Sequence, residues 1–301
     1  MRSFGGKINR NIHSAHTYQP MNQHLENKKK RYEKVKESWC FCNNLVGLAA
    51  IELNITELCS RHCDFCPRFD RNVYKNQNLH MSIETIVSFA EKCETEKFLG
   101  DISIAGFGEP MLHPNLPEIV RSLRRHLTNQ ISIITNGDFL THDSLKDLVS
   151  AGLSKIVVSC YDGPEAKEKF ETLLSGFEID YHIKELWGDF DTIVKKNDFN
   201  SRTGIVPIKT KTKGKQCYIP FYKLLVDWNG EIILCSNDWL RKEPGLGNIN
   251  HNSLKSIWFG EKLKTIRTNL SNGNRCGEAC KYCNVNGTLI GKDSFDLLLS
   301  L

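Results

Sequence analysis

The 301-residue sequence lacks the features that mark membrane and secreted proteins. No run of about 18 apolar residues occurs, so no segment is predicted to cross a bilayer. The first residues, MRSFGGKINRN, contain no apolar core of a signal peptide, and this favours the cytoplasm. Internal repeats and low-complexity segments are also missing. With 40% hydrophobic and 25% charged residues, the composition is that of an ordinary globular protein with a buried core.

Cysteine, in contrast, is abundant, because the chain contains twelve. In a cytosolic protein so many cysteines indicate metal ligands or catalytic thiols more often than disulfides. Three of them lie in CSRHCDFC (59–66), with the spacing C-x₃-C-x₂-C, and three more lie in CGEACKYC (276–283) with the same spacing. About 0.02 such matches are expected by chance in a chain of this composition, so the motif is informative.

The triplet at 59–66 suits two kinds of metal site. Three thiolates can ligate three irons of a [4Fe–4S] cluster and leave the fourth iron open. Structural zinc usually requires a fourth protein ligand, which His62, inside the loop, can supply. The spacing alone leaves both alternatives open.

The hydrophobic pattern predicts strands that alternate with helices, as in a parallel α/β sheet or barrel. Polar and glycine residues follow the strands in GFGEP, TNGD and SCYDG, at the carboxyl ends where such folds bind ligands. The predicted strands are 48–59, 101–107, 131–137 and 155–160, and the predicted helices are 82–94, 116–127, 142–152 and 164–174.

The pattern changes after about residue 205. Residues 221–238 predict a hairpin with Asn229-Gly230 as its turn, and residues 253–270 predict one amphipathic helix before a cysteine-rich tail. We therefore expect three parts: an N-terminal extension (1–45), an α/β domain (46–208) and a smaller module (209–301).

The combination of CSRHCDFC, with Phe65 before its last cysteine, and GFGEP about forty residues later resembles the radical S-adenosylmethionine superfamily over roughly 48–290. The resemblance implies a partial (β/α)₆ TIM-like barrel. It also implies that Cys59, Cys63 and Cys66 hold a [4Fe–4S] cluster whose open iron binds S-adenosyl-L-methionine. Electron transfer into the sulfonium then releases methionine and a 5′-deoxyadenosyl radical.

The same resemblance implies which residues contact the cofactor. Gly106 and Gly108 let the backbone approach closely, and Glu109 or nearby carbonyls meet the cationic amine. The family binds the ribose and carboxylate at the ends of the next strands, which here carry Asn136 and Ser159. A plain glycine turn and helix-capping polar residues are the alternatives.

The second cysteine string has no strand before it, and only residues 284–301 follow it, so we do not expect a second radical-generating site. Cys217-x₁₂-Gly230-x₄-Cys235, completed by Cys280-x₂-Cys283, resembles the Twitch or SPASM auxiliary-cluster module. Full SPASM modules have seven cysteines, so the single-cluster Twitch form fits better. The expected ligands are Cys217, Cys235, Cys280 and Cys283, with Cys276 as a substitute and a four-thiolate zinc site as the alternative.

Two clusters would lower the formal net charge from +5 to about +2, so charge does not predict nucleic-acid binding. A cluster closed by four thiolates has no free iron for substrate and is suited to passing electrons. This favours a radical oxidoreductase, and the small module resembles that of superfamily members that oxidise aminocyclitol alcohols. We expect oxidation of a secondary alcohol on a sugar-like small molecule, with electrons from a flavodoxin- or ferredoxin-type donor.

Two residues are candidates for the chemistry. Arg202, in SRTG before the linker, is a candidate base or ligand of a substrate hydroxyl, or else an ordinary surface arginine. Cys160 ends a predicted strand and is a candidate hydrogen-atom donor, which an epimerase requires, or else a small buried residue. The second hypothesis is therefore a maturase or epimerase of a ribosomally made peptide. A non-catalytic electron carrier is a third, but a carrier needs no nucleotide pocket such as GFGEP indicates.

Overall fold

The computed structural model describes residues 45–197, 199–208, 215–285 and 291–299, together with Lys29, Glu33 and Lys36. The predicted N-terminal extension and most of the linker at 209–215 lie outside the described residues. The strands are β1 (Ala50–Leu53), β2 (Asp101–Ile104), β3 (Ile131–Thr135), β4 (Lys155–Cys160), β5 (Asp180–Glu185), β6 (Lys223–Val226) and β7 (Ile232–Ile233). The helices are α1 (Ile83–Thr95), α2 (Leu116–His126), α3 (His142–Ser150), α4 (Pro164–Ser175), α5 (Phe190–Lys196), α6 (Leu254–Trp258), α7 (Glu261–Ser271) and α8 (Lys292–Leu299).

The seven strands of the described residues form one open sheet in the order β5-β4-β3-β2-β1-β6-β7. Neighbouring strands from β5 to β6 are parallel, and β7 pairs with β6 in the antiparallel sense. This confirms the predicted α/β class and is consistent with a partial TIM-like barrel. Within the described ranges, no helix is long and apolar enough to cross a membrane.

The four predicted strands and their four helices are confirmed, although β1, β2 and β3 are shorter than predicted. Strand β5 and helix α5 were not predicted. The sequence of β5, DYHIKE, contains one aliphatic residue among charged and polar ones, because this strand lies at the edge of the sheet and none of its residues is buried. Hydrophobic periodicity gives no signal for such a strand.

The two faces of the strands differ in polarity. Side chains such as Ile102, Ile133 and Ile156 are fully buried in the main hydrophobic core. The alternate positions carry Ser103, Ser132 and Lys155, which line a cavity instead. Because successive strand residues point to opposite faces, the sheet separates an apolar core from a polar interior.

The hairpin at 221–238 is confirmed, with Gly230 at φ +83° in its turn. It does not stand apart from the sheet. Strand β6 pairs with β1 in register, with Ile51 beside Leu224 and Leu53 beside Val226. The hairpin therefore extends the sheet on the far side of β1.

The prediction of one helix over 253–270 is wrong, because α6 ends at Trp258 and α7 begins at Glu261. The chain turns at Gly260, where an added Cβ would lie 2.8 Å from the Ser256 carbonyl oxygen. The turn brings buried Arg267 against the end of α6. Its guanidinium lies 3.8 Å from the Trp258 ring centroid and donates to the Trp258 carbonyl oxygen at 2.6 Å. Burial lowers the pKa of Arg267 to about 9.

A buried charged network joins the hairpin to the segment after β1. Arg241 donates to Asp227 Oδ2 at 2.8 Å and also pairs with Glu57. Tyr74 donates to Glu57 Oε2 at 2.6 Å, and Asn54 donates to Asp227 Oδ1 at 2.7 Å. Both carboxylates are almost fully buried, and their charge is compensated by Arg241, which pairs with both, and by buried Arg68, which lies 3.5 Å from Glu57 Oε2.

Replacing Arg241 by methionine is expected to lower the free energy of unfolding by about 3 kcal/mol, because buried Asp227 loses the cation paired with it and buried Glu57 keeps only Arg68. Arg121→Met is the matched control, since Arg121 forms an exposed pair with Glu118 and its loss should cost under about 1 kcal/mol. Denaturant unfolding of the anaerobically prepared protein measures both. Equal losses in the two variants would contradict the structural importance of the network.

Candidate active site and metal centres

A cavity of about 530 Å³ runs along the polar face of the sheet to the first cysteine triplet. Its wall combines the triplet with residues that follow β2, β3 and β4. Most of the site residues predicted from the sequence therefore line this one cavity. They are Cys59, Cys63, Phe65, Cys66, Gly106, Gly108, Glu109, Asn136, Ser159 and Arg202.

The triplet forms a compact loop. The Cys66 amide donates to the Cys63 carbonyl oxygen at 2.9 Å, and the Cys59 amide donates to Asn76 Oδ1 at 2.8 Å. Burial raises the pKa of all three thiols, that of Cys63 to about 12. The positive charges of Arg61, Arg68 and Arg202 oppose this rise, but burial outweighs them. Three desolvated thiols in one loop fit a site that a metal cluster completes, because a bound metal deprotonates its thiol ligands.

His62 is not directed at the thiols. Its Nδ1 donates to the Arg68 carbonyl oxygen at 2.9 Å, and its Nε2 accepts from Arg71 at 3.2 Å. Both ring nitrogens are therefore occupied within the loop. This removes the support for a zinc site with His62 as the fourth ligand.

The cluster loop is held by Arg61, which sequence reasoning missed. Arg61 Nε donates to Asp138 Oδ1 at 2.8 Å, and Nη2 donates to Asp162 Oδ2 at 2.6 Å. Its guanidinium also lies 4.8 Å from the ring centroid of Tyr161. Asp138 is part of TNGD and Asp162 is part of SCYDG, so both lie in motifs that the sequence already showed. That Arg61 binds both of them can be recognised only in the folded chain.

The glycines of GFGEP allow a close approach, though to the protein's own chain. A Cβ on Gly106, which has φ +121°, would lie 2.7 Å from Asn54 Oδ1. A Cβ on Gly108 would lie 2.1 Å from the Thr56 carbonyl oxygen. The loop therefore packs against the segment that leads from β1 to Cys59, and it still lines the cavity.

Glu109 is buried and its carboxylate is engaged internally. It accepts from Thr135 Oγ1 at 2.6 Å, from the Asn136 amide at 2.7 Å and from the Met111 amide at 3.0 Å. Burial raises the pKa of Glu109, and these donors oppose the rise. The carboxylate joins the end of β2 to the end of β3 and so shapes the wall of the cavity.

Asn136, Ser159 and Phe65 complete this wall. The Asn136 side chain donates to Ser60 Oγ at 2.9 Å, which connects β3 to the cluster loop. Phe65 packs against Phe199 with ring centroids 4.8 Å apart and stacks on Tyr161 at 6.0 Å. The aromatic residue before the last cysteine thus anchors the loop to the chain beyond β5.

Cys160 does not line the cavity. Its neighbours Ser159 and Tyr161 do, whereas Cys160 lies on the opposite face of β4, where it is fully buried. Its Sγ contacts the Gly163 carbonyl oxygen at 3.7 Å. Successive residues of a strand point to opposite faces of the sheet, so Cys160 lies on the face that the helices cover.

The second group of cysteines comes from three separate places in the chain: Cys217, Cys235, and the loop with Cys280 and Cys283. Burial raises the pKa of Cys217, Cys235, Cys280 and Cys283. Burial first, and then the charges of Cys217 and Cys283, raise the pKa of Cys235 to about 12. Cys276 is exposed. Within the ranges that the structure describes, no three His, Cys, Asp or Glu side chains lie close enough to hold a single metal ion.

Hydrogen-bond donors already surround this group. The Asn237 amide and its side-chain Nδ2 both donate to Cys235 Sγ at 3.4 Å. Buried Glu243 accepts from the Ala279 amide at 2.8 Å and from the Cys280 amide at 3.0 Å, which fixes the loop that carries Cys280. Donors aimed at a sulfur atom suit a thiolate, so these residues fit an iron–sulfur centre.

Arg202 lies between the two cysteine groups. It lines the cavity, and its Nη1 donates to Asn237 Oδ1 at 2.9 Å. Burial raises the pKa of Cys66 and of Cys283, and the positive charge of Arg202 opposes the rise at both. The same side chain therefore faces the cavity and approaches both sets of thiols.

Comparison with known proteins identifies two families in the chain. A model of the radical SAM superfamily matches residues 53–173, and a model of the SPASM iron–sulfur cluster-binding domain matches residues 217–284. The S-adenosyl-L-methionine-dependent 2-deoxy-scyllo-inosamine dehydrogenase of Niallia circulans is 29% identical over 255 residues, which cover 83% of this chain and 97% of that protein. GTP 3′,8-cyclase of Aquifex aeolicus is 29% identical over 154 residues, or 46% of either chain.

Solved structures agree with these matches. BtrN in complex with AdoMet and 2-DOIA superimposes with a TM-score of 0.66 and 26% identity over 79% of this chain and 93% of BtrN. SuiB of Streptococcus suis, bound to the precursor peptide SuiA, superimposes with a TM-score of 0.56 over 83% of this chain and 74% of SuiB. Its 15% identity shows a common fold alone.

The first cysteine triplet lies within the radical SAM match and the second group of cysteines within the SPASM match. The matches confirm the predicted cofactors, S-adenosyl-L-methionine and [4Fe–4S] clusters. The chain therefore combines a region that matches the radical SAM superfamily, residues 53–173, with a later region that matches the SPASM iron–sulfur cluster-binding domain, residues 217–284.

Proposed function

We propose that this enzyme oxidises a secondary alcohol of a sugar- or aminocyclitol-like small molecule. S-adenosyl-L-methionine, bound at the first cluster, supplies the 5′-deoxyadenosyl radical that removes a hydrogen atom from the substrate carbon. The oxidation is complete when the hydroxyl has lost its proton and one electron has left the substrate. The enzyme must therefore offer an electron acceptor beside the substrate cavity.

The observation that carries the proposal is a short series of contacts from the cavity to the second thiol group. Arg202 faces the cavity and donates to Asn237, and Asn237 donates to Cys235. An electron acceptor held by Cys235 would thus lie one residue away from a group that touches substrate. This proximity is what a dehydrogenase of this type requires.

The cysteines divide into two ligand sets. Cys59, Cys63 and Cys66 would hold the first cluster and leave one iron for S-adenosyl-L-methionine. The second cluster would take all four buried thiols of the other group, as in the single-cluster Twitch form. The exposure of Cys276 argues against it as a substitute ligand.

Arg202 is best suited to bind the substrate oxygen. A guanidinium group donates hydrogen bonds and has no acceptor, so Arg202 can orient a hydroxyl and stabilise negative charge on its oxygen. Phe199, whose ring centroid lies 5.8 Å from the guanidinium carbon, and Asn237 hold the side chain in place. A base for the hydroxyl proton has to be another residue.

The similarity to a dehydrogenase along 97% of that protein favours oxidation over peptide maturation. The epimerase hypothesis needs a hydrogen-atom donor in the cavity, and Cys160 is buried on the other face of β4. The first cluster would need a low-potential electron to cleave S-adenosyl-L-methionine, for which a flavodoxin- or ferredoxin-type donor in the cytoplasm is the natural source.

Anaerobically reconstituted protein is expected to contain about eight irons per chain, from two cubanes. Replacing Cys59, Cys63 and Cys66 together by alanine should leave about four, and Cys280→Ala with Cys283→Ala should also leave about four. Cys276→Ala is the matched control and should retain all of them. Four irons and one zinc in the wild type, measured by metal analysis, would refute the second cluster.

Removing the second cluster is expected to separate hydrogen abstraction from oxidation. With dithionite and 2-deoxy-scyllo-inosamine as the probe, the variant lacking Cys280 and Cys283 should still form 5′-deoxyadenosine, because the first cluster uses other residues. The oxidised product should fall below detection. Chromatography with mass spectrometry measures both products, and an undiminished yield of oxidised product would contradict the assignment of electron acceptor.

Turnover in heavy water tests oxidation against epimerisation. An oxidation gives a product lighter by two hydrogens, with no deuterium fixed at the reacting carbon. An epimerisation gives a product of unchanged hydrogen count that carries one solvent deuterium at that carbon. Mass spectrometry of the product decides between them, and the second outcome would overturn the proposed function.

A further inference from the structure

Glu52 has a buried carboxylate on the cavity wall, and none of the roles proposed above is assigned to it. It is the third residue of β1, points to the polar face of the sheet and has only 10% of its side chain exposed. Its Oε2 pairs with Lys223, whereas its Oε1 has no hydrogen-bond partner among the described residues. A carboxylate in the cavity that has one oxygen without a hydrogen-bond partner can accept a proton from a bound substrate.

Lys223 connects this carboxylate to the second group of cysteines. The hairpin pairs Leu225 with Ile233 and Val226 with Ile232, and the same alignment, continued by two residues, sets Lys223 opposite Cys235. The electrostatics agree, because the ammonium of Lys223 opposes the rise that burial causes in the pKa of Cys235. Glu52, Lys223 and Cys235 therefore follow one another from the cavity towards the second cluster.

Other carboxylates of the cavity lack this arrangement. Asp180 also pairs with a lysine, Lys155, but it lies on β5 at the far edge of the sheet and is 57% exposed. Strand β1, in contrast, lies beside β6, which begins the hairpin carrying Cys235. Glu109 is also buried on the cavity wall, but both of its oxygens accept hydrogen bonds from Thr135, Asn136 and Met111. Glu52 is a buried carboxylate whose partner, Lys223, lies near Cys235.

We propose that Glu52 is the base of the oxidation and that Lys223 is a positioning residue that holds it beside the second cluster; this inference rests on the proposed function. The substrate carbon loses one hydrogen atom to the 5′-deoxyadenosyl group. The hydroxyl would lose its proton to Glu52, and a cluster held by Cys235 would accept the remaining electron, which leaves a carbonyl. Loss of the proton makes the substrate radical a much stronger reductant. The base and the electron acceptor are therefore expected to lie close to each other.

Lys223 has two effects in this arrangement. Its hydrogen bond orients the Glu52 carboxylate so that Oε1 faces the cavity. Its positive charge near Cys235 also stabilises the reduced form of the second cluster, which carries one more negative charge than the oxidised form. The ion pair thereby couples the site that receives the proton to the site that receives the electron.

The first experiment uses the reconstituted holoenzyme with 2-deoxy-scyllo-inosamine as the probe. Glu52→Gln, which preserves size and hydrogen bonding, should lower oxidised product about 100-fold, as loss of a general base does. Formation of 5′-deoxyadenosine should continue, and a substrate radical should accumulate in the electron paramagnetic resonance spectrum. Glu52→Asp should restore part of the activity, because it restores a carboxylate.

Glu185→Gln is the matched control, since Glu185 also lies on a strand and pairs with Lys167 and Lys196 but does not line the cavity. This variant should behave as the wild type. Full activity in Glu52→Gln, or the same loss in Asp180→Asn alone, would overturn the assignment of the base. A 5′-deoxyadenosine yield that falls in step with the product would also overturn it.

The second experiment needs no substrate. A redox titration of the second cluster, followed by electron paramagnetic resonance, should give a more negative potential in Lys223→Met and an unchanged one in Lys223→Arg. Unchanged potential in Lys223→Met would refute the coupling by Lys223. An inactive wild type with this potential shift present would refute the proposed substrate class, whereas an active wild type with an active Glu52→Gln variant would refute only the inference about Glu52.

Discussion

The pairing of β1 with β6 is the constraint on which the rest of the structure depends. Strand β1 leads into the first cysteine triplet, and β6 begins the hairpin that ends at Cys235. Parallel strands can pair only when a long connection brings the chain back, and here that connection contains the whole α/β domain. One ladder of backbone hydrogen bonds therefore brings the segment that leads to the first cysteine triplet next to the hairpin that ends at Cys235. The buried pairs of Arg241 with Glu57 and Asp227 strengthen the same junction.

The polar interior is the second consequence of this architecture. In a closed barrel of eight strands, large apolar side chains fill the centre. Here the sheet is open, and positions that would form that packed centre carry Glu52, Ser103, Ser132 and Lys155. Glu52 pairs with Lys223, Lys155 pairs with Asp180, and Ser132 Oγ donates to the Ile102 carbonyl oxygen at 3.3 Å. The cavity beside them leaves room for a cofactor and a polar substrate. The apolar residues of the same strands face the helices and supply the hydrophobic core.

Motif residues that were expected to touch the cofactor serve partly to hold the site together. Gly106 and Gly108 allow the loop to pack on the chain before Cys59, and Glu109 joins β2 to β3 through three internal hydrogen bonds. Arg61 and Asn136 fasten the cysteine loop to the ends of β3 and β4. Such a frame fixes the thiols before a cluster binds, and this preorganisation reduces the entropy that ligand binding has to overcome.

The sequence by itself determined the α/β class, four of the strands, the hairpin turn at Asn229-Gly230 and the grouping of cysteines by motif. These features depend on local periodicity, on glycine conformation and on short spacings, all of which are written along the chain. Tertiary structure alone decided the edge strand β5, the break of 253–270 at Gly260, and the placement of Cys160 away from the cavity. It also decided that Arg61 meets Asp138 and Asp162 and that Glu52 meets Lys223, because partners separated by tens of residues become neighbours only when strand order and register set the distance between them.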